Sequence, residues 1–298
     1  MSAMSPWTSP TRRRALAGLS AIAAILPAAR GQTAPAPNWP LWVVRSGGGA
    51  VYITGEVPSG VSDWSDARIE ALVPQCGALW TETGRANRAP VGPLIVKYGF
   101  DAKTPLMSRL DATDKDRLEK AAALAHLPVE RLAQFRPWLA AQQLDDAYSR
   151  TLGLKGLSAN QVLTAAAEKA GVAVNSEFAA QDDFIAWFGA LAPEPDLQRL
   201  RATLDDILAP PEASKRADEA WMRGDERGEA DQLARMKRLY PEMYDLLLVA
   251  RNRAWPARIR LMLQAPKPSL IVVGNYHLVG PDSILAQLRA ERLPAKRM

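Results

Sequence analysis

His277 is one of only two histidines in a chain of 298 residues, and it stands where a strand should open into a site. The run Leu270-Ile-Val-Val273 is short, unbroken and rich in β-branched residues, which predicts a strand buried on both faces. Gly274 follows at once and permits a sharp turn or a close backbone approach. Asn275, Tyr276 and His277 come next. Gly280-Pro281-Asp282 then reads as a turn feeding a helix from Ser283. Ligands of open α/β sheets bind just outside the carboxyl ends of the strands. An imidazole there can ligate a metal or move a proton. A second stretch repeats the layout: Val51-Tyr-Ile-Thr54 runs into Gly55, and three residues later stands Pro58, which can do neither.

Other chemistry-bearing residues are few. Ala78-Leu-Trp-Thr-Glu82-Thr83 predicts a strand that ends in a carboxylate. His126, in Ala-Leu-Ala-His-Leu-Pro, is expected to be structural or superficial. Cys76 is the only cysteine, so neither an intrachain disulfide nor a cysteine metal cluster can form, and its thiol is expected to be buried. No Gly-x-Ser-x-Gly elbow supports a serine triad. Arg251 could bind an anionic group or pair with Glu82.

These residues need a sheet to bring them together. Leu41 to Arg45 and Ala50 to Thr54 predict a hairpin across Ser46-Gly-Gly-Gly49. No Gly-Lys-Ser/Thr context makes that triple glycine a phosphate loop. Ser62 to Val73 has helical spacing, and Pro90 to Asp101 reads as turn and extended chain. Ser108 to Leu208 is mainly helical, with a short strand at Gly171 to Asn175 that ends before Glu177. A polar helix over 213–232 breaks near Gly224, and 236–263 is a long helical tract bent near Pro241 and Pro256. The fold class expected is α/β: a central sheet from N- and C-terminal strands, with a large helical insertion at about 108–263 of a single domain over 37–298.

Residues 1–36 read as a targeting segment. Arg12-Arg13-Arg14 precedes an Ala-rich apolar stretch, Ala15 to Leu26, too short to span a bilayer, which takes about 20 residues. The pattern resembles a twin-arginine signal and implies a periplasmic or secreted protein with no membrane span in the mature chain. Without Arg12, Arg13, Arg14 and Arg30, Lys plus Arg falls from 37 to 33 against 32 Asp plus Glu. That balance carries no general basic excess, and nucleic acid is not an expected partner.

The ordered set of Leu41 to Gly55, Leu79 to Glu82, Arg136-Pro137-Trp138, Arg251-Asn252-Arg253-Ala254-Trp255 and Val273 to Leu285 resembles the TraB/PrgY/GumN family, which includes the Tiki proteases. The resemblance implies a fold similar to the erythromycin-esterase (EreA) and ChaN-like group. It also implies a metal-dependent peptidase whose site holds two Gly-x-x-His histidines and a glutamate. Carried over by position, His277 and Glu82 are catalytic and metal-binding candidates, and Pro58 replaces the first histidine. Glu56 could supply a third ligand. One histidine with two carboxylates suits Mn²⁺ better than Zn²⁺, with Co²⁺ a further candidate. Gly55, Gly274, Asn275 and Arg251 are expected around the site. Two functions follow: a metal-dependent hydrolase acting on peptides, or a non-catalytic binding or accessory protein of the cell envelope.

Overall fold

The computed structural model describes residues 38–56, 63–83, 92–178 and 181–298. The proposed targeting segment and Pro58 lie outside the described residues.

Six strands form one sheet in the order β4-β3-β5-β2-β1-β6. β1 (Leu41–Ser46) and β2 (Gly49–Glu56) pair antiparallel as the expected hairpin. Gly47 and Gly48 turn it with φ of 57° and 88°, values that suit a two-residue hairpin turn and disfavour side chains. β5 (Ser269–Gly274) is buried at every position and lies parallel between β2 and β3 (Ala78–Thr83), as its unbroken apolar run requires. β4 (Ala173–Phe178) adds in parallel to β3, and the two-residue β6 (Lys296–Arg297) pairs antiparallel with β1. The α/β class with a helical insertion is what the chain adopts, although β4 interrupts that insertion to extend the sheet.

Two expectations change. β4 runs on through Glu177 to Phe178, rather than ending before Glu177. Its polar sequence hides it, because an edge strand is held by ladder hydrogen bonds more than by apolar burial. The segment Gly92–Gly99 is a helix, not extended chain. Leu94, Ile95 and Tyr98 on it pack against Trp138, Leu139 and Ile185, so tertiary contacts decide its conformation.

The main core surrounds the sheet and includes Ile53, Leu79, Trp221, Trp255, Ile271 and Leu288. A second core lies among helices Ala112–Leu124, Pro137–Thr151 and Pro193–Leu208. The Arg136-Pro137-Trp138 stretch has a structural explanation there. Pro137 opens its helix at the first turn, where its missing N–H is harmless. The buried Asp196 carboxylate accepts from the Trp138 amide at 2.7 Å and pairs with Arg136 at 2.7 Å.

Candidate functional site

Parallel pairing places the carboxyl ends of four strands side by side. Gly55 is level with Val273 and Glu56 with Gly274, so the two similar strand-turns are direct neighbours. Glu82 stands one residue before the end of β3 on the other side of β5, and Glu177 one residue before the end of β4 beyond it.

Glu82 is at the centre. Its Oε1 accepts the Gly274 amide N–H, and its Oε2 accepts from Arg251 Nη2 at 2.7 Å. Arg251 also grips Glu177 with two nitrogens, at 2.7 Å and 3.1 Å. All three side chains are largely buried. Burial alone would raise the Glu82 pKa. The neighbouring His277 ring and the Arg251 guanidinium outweigh it and hold the carboxyl well below the usual range. Arg251 is correspondingly pushed up by Glu177 and by the Glu82 charge, against its burial.

His277 has no solvent exposure. It sits in a short 3₁₀ turn, Asn275–His277, that continues directly from β5. Asn252 gives its amide Nδ2 to the Asp282 carbonyl at 2.8 Å, which leaves its Oδ1 to meet His277 Nδ1 at 2.5 Å. Nδ1 therefore carries a hydrogen. Nε2 has no hydrogen-bond partner and faces Glu82 Oε2 at 3.4 Å, an electrostatic contact rather than an aligned hydrogen bond. Arg251 and Asn252 are consecutive yet serve different strand ends, and the π-helical stretch Asp245–Val249 leads directly into them. Such widened turns are frequent at functional sites.

Glu56 sits apart from this pair. Its Oε2 accepts the Asn160 amide at 2.8 Å, at the N-terminus of the helix Ala159–Lys169, which favours a carboxylate. Burial, with the Glu82 charge adding to it, raises its pKa to about 7 despite that bond. The folded chain thus keeps a proton that an unfolded Glu56 would release near pH 4.5. Stability is lost as pH rises from 4.5 toward 7. Glu56→Gln keeps the acceptor and removes the charge. It should stabilise the chain by up to about 3 kcal/mol at pH 8 and by little at pH 4.5, measured by urea unfolding at both.

Gly55 and Gly274 are glycines because of close approach. A Cβ on Gly55 would lie 2.6 Å from Trp221 Cζ2, and one on Gly274 would lie 2.5 Å from the Tyr276 ring. Asn275 is buried, and its Oδ1 accepts from the Tyr276 amide at 2.8 Å. Its side chain also bonds to Glu229. Tyr276 stays 39% exposed, with its ring 4.7 Å from that of His277 and its hydroxyl pushed up mainly by the Glu82 charge. Elsewhere, His126 is exposed at φ 52° just past a helix end, and Cys76 is buried with its pKa raised to about 11 by that burial. Sequence reasoning did not single out Glu177, Asn252 or Tyr276. Their signals were adjacency to Arg251 and His277, and the strand alternation that carries Glu177 to the level of Glu82.

A family model described as the TraB/PrgY/gumN family matches residues 40–296. The chain belongs to that family. No curated protein and no solved structure matches it.

The metal centre implied by the resemblance to Tiki-type members of the TraB/PrgY/gumN family can be tested on these donors. A hydrolytic ion usually takes about three protein ligands and leaves a position for water. Among the described residues no three His, Cys, Asp or Glu groups stand close enough to share an ion. The segments outside them, 1–37, 57–62, 84–91 and 179–180, contain no His, Cys, Asp or Glu. The nearest set is a pair, His277 Nε2 and Glu82 Oε2, and that oxygen already accepts from Arg251. The donors present do not fit a three-ligand hydrolytic ion.

Proposed function

We propose that this chain is an exported, non-catalytic member of its family, a binding or accessory protein of the cell envelope. The observation that carries this reading is the incomplete donor set: among the described residues only His277 and Glu82 stand together, and Glu56 is bonded instead to the Asn160 amide. Arg251 bridges Glu82 and Glu177 beside that pair, and its buried guanidinium satisfies their oxygens. Export is supported by the paired arginines and short apolar run at the start of the chain. Among the described residues no helix is long and apolar enough to cross a membrane.

One observation favours the other reading, a metal-dependent hydrolase acting on peptides with Mn²⁺, Zn²⁺ or Co²⁺. His277 Nδ1 is anchored by Asn252 and Nε2 is left without a hydrogen-bond partner, the arrangement that outer-sphere groups impose on metal-ligating histidines. An activity assay separates the two. The purified chain, incubated with casein and each of the three ions in turn, should cleave no faster than His277→Ala. Cleavage that requires an added ion and disappears in His277→Ala would establish the hydrolase.

A further inference from the structure

The stretch Arg251 to Trp255 serves the strand ends through Arg251 and Asn252, and the role of its last residue is still open. Trp255 starts the helix Trp255–Met262 and has no solvent exposure, yet its indole Nε1 has no hydrogen-bond partner among the described residues. Arg258 follows one turn later, and its guanidinium carbon lies 5.5 Å from the Trp255 ring centre. Residues three apart share a helix face, so the cation lies back over the indole. Its Nη1 is buried and likewise without a partner. Neighbouring arginines differ: Arg251 is held by Glu82 and Glu177, and Arg260 by Glu291. Among the described residues Arg258 has no carboxylate to match, and the remaining segments contain no Asp or Glu. Between Asp245 and Asp282 the chain carries Arg251, Arg253, Arg258, Arg260 and Lys267 and no acidic residue, so the charge of this region is positive. Trp39 and Trp64 also touch, with ring centres 5.7 Å apart and both indole donors unmet, but they bring no charge and call for no counter-ion.

We infer that Trp255 and Arg258 form a binding site for an oxyanion, a carboxylate or phosphate group of a ligand. An indole N–H and a guanidinium are donors only, so the group that meets them must be an acceptor. Leaving a buried donor unmet is costly, and leaving a cation uncompensated more so. A water molecule would accept from the donors and leave the charge of Arg258 unbalanced. An oxyanion supplies separate oxygens for the two donors and the missing negative charge together. Arg258 is only half-buried, which leaves a way in from solvent. The site uses none of the strand-end carboxylates and not His277, so the inference goes beyond the non-catalytic reading and does not rest on it.

The test uses the full chain with isotope-labelled tryptophan, followed by nuclear magnetic resonance of the indole N–H groups. Comparison with Trp255→Phe identifies the Trp255 signal. Sodium phosphate and sodium acetate are titrated in separately at constant ionic strength. At least one of them should move the Trp255 signal saturably, and the one that does names the anion class. Arg258→Gln should weaken that binding at least tenfold. The inference is overturned if neither anion moves the signal saturably, which would leave water as the partner of both donors. It is overturned equally if Arg258→Gln binds the anion as tightly as the wild type. Should Arg258→Gln fail to fold, Arg258→Met is held to the same criteria. Failure here leaves the non-catalytic reading standing, because that reading is decided by ion-dependent cleavage.

Discussion

Arg251→Met should destabilise the chain by about 3–5 kcal/mol at neutral pH, because it strands two buried carboxylates that now share one guanidinium. Glu82 makes the sign of the pH dependence clear. Its folded pKa lies below the ordinary 4.5, so in the wild type it contributes stability above that value and loses it as pH falls through the folded pKa. Without Arg251 that contribution shrinks, and protonation of Glu82 relieves the repulsion between the two carboxyl groups. The penalty should therefore be largest at pH 8 and smallest near pH 4. Chemical denaturation across that range measures it. The triple variant Glu82→Gln/Glu177→Gln/Arg251→Met should recover much of the loss, since it removes the charges together. A cost below about 1 kcal/mol for Arg251→Met would mean that solvent, not the guanidinium, satisfies these carboxylates.

Trp221→Ala should cost about 3–5 kcal/mol, the range for emptying a large aromatic from a core. Trp221 has no solvent exposure, and its Nε1–H donates to the Gly55 carbonyl at 3.2 Å. Its ring lies against Gly55 and 6.2 Å from Trp42, so it clamps the β1–β2 hairpin to the strand-end site. Thermal unfolding reads the loss. Gly55→Ala tests the same contact from the other side, because its Cβ would meet the Trp221 ring. If Gly55→Ala were neutral and Trp221→Ala cheap, the packing of this corner would not be what positions Glu56 and Gly274.

The strands β2, β3 and β5 were readable because strands buried in a parallel sheet are short apolar runs, and Leu270 to Val273 is the clearest of them. β4 was harder. Asn175-Ser176-Glu177 has no apolar period, and its membership of the sheet depends on main-chain pairing with β3. The helix Gly92–Gly99 owes its form to Trp138 and Ile185, which are distant in sequence. At the site, Gly274 and His277 carried a local signal: a glycine at a strand end, then a histidine. Glu177 and Asn252 carried only weak signals, a place near a strand end and adjacency to Arg251, because the strand order β4-β3-β5 gathers groups far apart along the chain. Arg251 was visible as a partner for Glu82. That it also holds Glu177 depends on geometry alone. Glu56, expected as a third ligand, is drawn instead to the amide of Asn160 at a helix start.

The central claim is that Arg251, and no ion, neutralises the strand-end carboxylates. Metal analysis and calorimetric titration of the purified full-length chain with Mn²⁺, Zn²⁺ and Co²⁺ test it most directly, with His277→Ala alongside. The structure predicts no stoichiometric ion and no heat that differs between the two proteins. One ion per chain that disappears in His277→Ala would contradict it.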